Sequence, residues 1–141
     1  MQHTAPKTPR TRPTQERRAT FNGTPEGVTD ARKWALAALN KPGWGIPNPD
    51  DFALVVSELA TNALDHTHSG RGGKFTIRLA LHEDHIRVTV RDAGPRQGRT
   101  PTRRTPQLTA EHGRGLGIVD ALSRSWGVAT IGTGVYAEVT R

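Results

Sequence analysis

Between Phe75 and Arg91 the chain alternates apolar and polar residues with a single interruption, and this pattern constrains the fold more than any other feature. Phe75, Ile77, Leu79 and Leu81 alternate with Thr76, Arg78, Ala80 and His82. After Glu83-Asp84, Ile86, Val88 and Val90 alternate with Arg87, Thr89 and Arg91. A period of two sends successive side chains to opposite faces of a strand, so the spacing predicts two half-buried strands joined by a tight turn, paired antiparallel. Two further strands are expected near 127–131 and 135–140, joined by a Gly132-Thr133-Gly134 turn, and a short one at 19–22.

The helical signals fall around these strands. Thr24 suits an N-cap and Pro25 the first turn of a helix that carries Val28, Ala31, Ala35 and Leu39 at helical spacing and stops at Pro42-Gly43. Asn48 and Pro49 open a second helix that runs to about Asp65. Asp50 and Asp51 suit the positive end of its dipole, and Phe52, Val55, Val56, Leu59, Ala60, Ala63 and Leu64 form its buried stripe. A third helix starts near Gly115, with Ile118, Val119, Ala121 and Leu122 apolar. Trp34 and Trp44 read as core or edge packing. Simple βαβ alternation is absent, which argues against a Rossmann-type parallel sheet. The expected fold is an α/β two-layer sandwich: a mixed, mostly antiparallel sheet with helices on one face.

Composition narrows the function classes. The chain has 141 residues, one domain's worth, and no cysteine, which removes disulfides, thiol catalysis and Cys-ligated metal. No apolar run is long enough to cross a bilayer, and no apolar stretch follows the basic N-terminus, so a soluble cytoplasmic protein is expected. The net charge is +7. Residues 1–18 set five basic side chains against Glu16, and residues 95–112 set four arginines against Glu111, which leaves eleven basic and eleven acidic residues elsewhere. That distribution argues against a folded basic surface for nucleic acid. Residues 1–18 are expected to be a disordered basic tail, and 95–112 a loop or lid before the third helix. The domain is then 19–141.

Three local features carry chemistry. Glu58, Asn62, Asp65 and His66 share one side of the second helix, and its apolar neighbours press Glu58 and Asn62 inward, where a carboxylate and an amide need partners. The alternative is a solvated polar edge. An amide oxygen with nucleotide phosphates would satisfy Mg²⁺. Asp92 continues the parity of Ile86, Val88 and Val90, and Gly94 follows. A strand-end carboxylate there could accept from an exocyclic amine, unless the strand stops at Arg91 and Asp92 begins a turn. Gly113, Gly115 and Gly117 open a helix, whose free N–H groups favour phosphate, with Arg114 a phosphate contact. His66 with His68, or His82 with His85, could bind metal, but solvated or satisfied histidines fit the spacing better.

Taken in order, these three features resemble the GHKL ATP-binding fold of histidine kinases, Hsp90, gyrase B and MutL. Glu58-Leu-Ala-Thr-Asn62-Ala-Leu-Asp-His66 resembles the N-box, Asp92-Ala-Gly94 the first glycine box, and Gly113-Arg-Gly115-Leu-Gly117 the second. Residues 111–122, followed by Trp126-Gly127, are similar to the stand-alone branch of anti-sigma-factor serine/threonine kinases. The resemblance covers about 19–141. It implies a Bergerat-type fold and the cofactors ATP and Mg²⁺. Asn62 would hold the metal, Asp92 the adenine amine, and Gly94 would let the base approach. Gly113, Arg114, Gly115, Leu116 and Gly117 would lie along the phosphates beneath the lid, and Glu58 would be the base for a Ser/Thr hydroxyl. It implies a sigma factor or an anti-sigma antagonist protein as partner, and allows a homodimer. An ATP-binding adaptor that sequesters a partner without kinase activity is the alternative. The family often has a Thr in its final strand. Aligning Val135-Tyr136-Ala137-Glu138 on that strand puts Gly134 there, with Thr133 beside it.

Overall fold

A computed structural model describes residues 12–66, 73–92, 113–128 and 134–141. The expected lid and Gly94 lie outside them. In chain order the elements are β1 (Gln15–Asn22), α1 (Pro25–Leu39), α2 (Pro49–His66), β2 (Lys74–Leu81), β3 (His85–Asp92), α3 (Gly113–Leu122), β4 (Ser125–Val128) and β5 (Val135–Thr140). The strands form one five-stranded sheet in the order β1-β2-β3-β5-β4. Every pairing is antiparallel, so no part of the described sheet is mixed. No described helix is long and apolar enough to cross a membrane.

The period-two pattern does what it predicts. Phe75, Ile77, Leu79, Ile86, Val88, Val90, Val135, Ala137 and Val139 turn to one face and join Ala31, Ala35, Phe52, Val55, Val56 and Leu59 in one core. The helices cover that face, with α2 in the middle, packed on α1 and α3 and against β3 and β5. The opposite face is polar: Thr20 and Thr76 share a hydrogen bond of 2.9 Å, and Arg78 makes a two-pronged pair with Glu16 at 2.7 and 3.1 Å. The hairpin turns at Glu83-Asp84, closed by His82 N–H donating to the His85 carbonyl at 2.8 Å.

Two boundaries differ from expectation. The sheet begins at Gln15 rather than 19, so residues 15–18 are strand and not disordered tail, paired with 78–81 of β2. Their partners are remote in sequence. Trp44, fully buried, donates its indole N–H to Gln15 at 3.0 Å, and the Arg17 guanidinium lies 5.6 Å from the Trp44 ring centre. Residues 1–11 lie outside the described part. Strand β4 starts at Ser125, two residues before its expected position, because Trp126 pairs with Ala137 and the Arg124 N–H reaches the Glu138 carbonyl at 2.8 Å.

The β1–α1 corner is tight. Thr24 caps α1 by accepting from Gly27 N–H at 3.0 Å, as its sequence predicts. A Cβ on Gly27 would run into the backbone carbonyl of Asn22. Gly27→Ala is therefore expected to cost about 1–3 kcal/mol through forced backbone movement. Urea unfolding of the variant beside the parent measures it, and equal midpoints would show that α1 does not sit against β1 in this way.

Candidate functional site

Helix α2 sets the first part of the site. Its stripe from Phe52 to Ala63 faces the sheet, and that register carries Asn62 inward with it, leaving the residue only 5% exposed. The Asn62 Oδ1 atom is buried and, among the described residues, has no hydrogen-bond partner. An unmet buried amide oxygen costs about 1–3 kcal/mol. Arg17 Nε, Ser123 Oγ and Arg141 Nε are also buried without a partner among the described residues, but Asn62 is the one of these on the motif-bearing half of α2. Glu58, one turn earlier, is half-buried. The solvated-edge alternative therefore fails for Asn62.

The second part is the end of β3. The strand does not stop at Arg91: Asp92 is its last residue, in register with the buried Phe75. The turn alternative is excluded for its backbone. The third part is α3, which begins at Gly113 and takes Gly113, Arg114, Gly115, Leu116 and Gly117 into its first turns. A Cβ on Gly117 would meet no atom within 4 Å, so packing within the described chain does not demand glycine there.

Chain direction brings these parts to one end of the molecule. Residue His85, at the start of β3, pairs with Thr140 at the hairpin end. The same end holds the start of α2 and the close of α3, where Asn48, Asp51, Leu122, Ser123 and Thr140 line a cleft of about 350 Å³. The second half of α2, the end of β3 and the start of α3 therefore all point to the opposite end. The three sequence motifs share that end.

Gly134 stands where the family often has threonine, and a Cβ on it would meet Arg91 Cγ at 2.5 Å and the Val90 carbonyl oxygen at 2.8 Å. Arg91 belongs to the set Arg87, Thr89 and Arg91, which alternates with the helix-facing residues of β3. A threonine at 134 would project from the face remote from the helices, so glycine there answers a packing need between β3 and β5. Thr133 lies outside the described residues.

Sequence reasoning missed a charged cluster at the hairpin end. His85 is only 7% exposed, and its ring stacks on that of His82 with centres 4.4 Å apart. Asp84, Arg87, Arg124 and Glu138 surround it. These residues come from three separate segments, the 82–87 hairpin, Arg124 and Glu138, so no local spacing announces the whole cluster. Among the described residues no group of three or more histidine, cysteine or acidic side chains is placed to hold a metal ion.

Comparison with known proteins identifies the family. The profile of the histidine kinase-like ATPase domain family matches residues 21–138. The serine-protein kinase RsbW of Oceanobacillus iheyensis is 32% identical over 71 residues, which is 50% of this chain and 45% of that protein. RsbW of Bacillus pumilus is 28% identical over 110 residues, 70% of this chain and 68% of that one. An uncharacterised protein of Streptomyces coelicolor is 42% identical over 75 residues, 52% of this chain and 68% of that protein. The aligned stretch thus spans less than half of the Oceanobacillus relative. With the profile covering β1 to β5, the chain belongs to the histidine kinase-like ATPase domain family and is homologous to the RsbW serine-protein kinases.

Proposed function

We propose that this chain binds ATP with Mg²⁺ and acts as an anti-sigma regulatory factor, phosphorylating a serine or threonine of an anti-sigma antagonist protein. The observation that carries the reading is the buried, unpartnered Oδ1 of Asn62. A neutral amide oxygen is a hard donor, and Mg²⁺ takes such oxygens while keeping waters and nucleotide phosphates as its other ligands. The residues present therefore fit the ion, with Asn62 as its protein ligand. When bound, Mg²⁺ neutralises charge on the phosphates.

The remaining roles fall to this chain's own groups. Asp92 accepts from the adenine amino group, and Gly94 lets the base approach the backbone. The free N–H groups at the start of α3, at Gly113, Arg114 and Gly115, bind phosphate oxygens, supported by the helix dipole, and Leu116 and Gly117 lie along the phosphates in the next turn. The open space beside Gly117 suits that role. Glu58 stands one turn from Asn62 on α2, close enough to orient the incoming hydroxyl and hold its proton. The names of the RsbW relatives support kinase chemistry.

Two substitutions on α2 separate binding from chemistry. Asn62→Ala is expected to weaken Mg-ATP binding more than about tenfold by calorimetry, with the far-UV spectrum unchanged because alanine is a good helix former. Glu58→Ala is expected to retain Mg-ATP binding and to lose roughly 10²–10⁴ in phosphate transfer to a captured antagonist. Loss of nucleotide binding in Glu58→Ala would make Glu58 structural. A parent that binds Mg-ATP yet transfers no phosphate would leave the sequestering adaptor in place of the kinase.

Base selection gives a separate test. Asp92→Asn replaces an acceptor-only carboxylate with an amide. The variant is expected to lose preference for ATP over GTP in competition binding, and an intact preference would remove Asp92 from the adenine site.

A further inference from the structure

We propose that His85 is the centre of a pH-responsive latch that holds the trailing end of α3 to the β2–β3 hairpin. The argument rests on one ring nitrogen. Nδ1 of His85 lies 2.7 Å from Asp84 Oδ1 and 3.1 Å from Arg124 Nη2. An ionised carboxylate only accepts hydrogen bonds and a guanidinium only donates them. A ring nitrogen carries either a proton or a lone pair, so it can satisfy one of these neighbours at a time. The two contacts are alternatives.

With a neutral ring protonated on Nε2, Nδ1 accepts from Arg124. With the imidazolium, Nδ1–H donates to Asp84, and Nε2–H faces Glu138 Oε2 at 3.7 Å. Arg124 Nη2 is then a donor set against a donor, and a cation against a cation. Its remaining side-chain contacts, at 3.2 Å to Asp84 Oδ2 and 3.4 Å to Glu138 Oε1, are longer than strong charge-assisted bonds of about 2.7–2.9 Å. Arg124 gives way first because Glu138 is already held by Arg87 at 2.9 Å, and Arg87 itself lies over the Tyr136 ring.

The surroundings leave histidine as the titrating element. About the ring are His82 from β2, Asp84 from the turn, Arg87 from β3, Glu138 from β5 and Arg124 from the α3–β4 junction, and beyond His82 lies Arg78 of β2, paired with Glu16 of β1. Arg141 donates to the His82 carbonyl at 2.7 Å. The hydrogen bond from the protonated Nδ1 of His85, and then that from Arg124, hold Asp84 down at about 2, so it stays ionised as the ring takes up its proton. Burial, reinforced by His85, lowers the pKa of His82 and keeps that stacked ring toward its neutral form. Among ordinary side chains only histidine changes charge between pH 5 and 8. Asp84, Glu138 and Glu16 balance Arg87, Arg124 and Arg78 at high pH, and one added proton makes the cluster cationic.

The consequence is placed by Arg124, which follows the last turn of α3 and also lines the cleft formed with Ile46, Asn48 and Asp51. Acidification loosens that junction and with it the anchored end of α3, independently of any nucleotide. The test uses the full chain, isotope-labelled, with ring-nitrogen and arginine-Nε resonances followed from pH 8 to pH 5. His85 Nδ1 is expected to go from unprotonated to protonated. The Arg124 Nε resonance and amide exchange at 123–125 are expected to change with the same midpoint, and His85→Gln is expected to abolish both changes. A pH-independent Arg124, or an Nδ1 protonated throughout, overturns the proposal in the parent alone. An Arg124 response that persists in His85→Gln overturns it as well.

Discussion

The packing of the α2 stripe against the sheet is the constraint on which the rest depends. Phe52, Val55, Val56, Leu59, Ala60 and Ala63 occupy the side of α2 that meets β3 and β5, while α1 and α3 lean on its flanks. A helix held this way cannot rotate to free one residue. Asn62 therefore goes inward with its neighbours, and the cost of its unmet oxygen is carried by the hydrophobic gain along the stripe. Burying one such side chain is worth about 1.5–3 kcal/mol, comparable to the penalty of one unsatisfied amide. A polar group kept in place against its own preference is a common mark of a binding site.

The same packing gives the molecule two unlike ends. At one end the second half of α2, the last residue of β3 and the glycine-rich start of α3 come together. At the other, the hairpin, the start of α2, the close of α3 and the end of β5 are tied by arginines. Arg141 donates to the His82 carbonyl and to that of Gly43, joining β5 to the hairpin and to the loop after α1. Arg124 joins the hairpin to α3. The motif end keeps the buried amide oxygen of Asn62 without a partner among the described residues, whereas the hairpin end is dense with ion pairs. That division suits a domain that holds a ligand at one end and its own scaffold at the other.

Much of this was legible in the sequence, for physical reasons that can be named. The alternation from Phe75 to Arg91 and the Asn48-Pro49 start of α2 are local signals, and each formed the expected element. Asn62 was legible because its spacing from Leu59 and Ala63 carried it toward the core. Strand residues 15–18 were not legible: Arg17 and Gln15 depend on Trp44, and Glu16 on Arg78, and no local pattern encodes such partners. The crowding at Gly134 was not legible, because alignment gives a position without a face, and contact with Arg91 supplies the face. The His85 cluster draws on the hairpin, Arg124 and Glu138, three segments remote in sequence, and exists only once the sheet is assembled.

The central claim is that a divalent cation carried by ATP sits on the Asn62 amide. Paramagnetic Mn²⁺ in place of Mg²⁺ tests it directly, because relaxation by Mn²⁺ falls steeply with distance. With Mn-ATP added to the labelled chain, the Asn62 side-chain amide resonance is expected to broaden beyond detection, and excess Mg-ATP is expected to restore it. An Asn62 resonance that stays sharp while ATP binds would contradict the account.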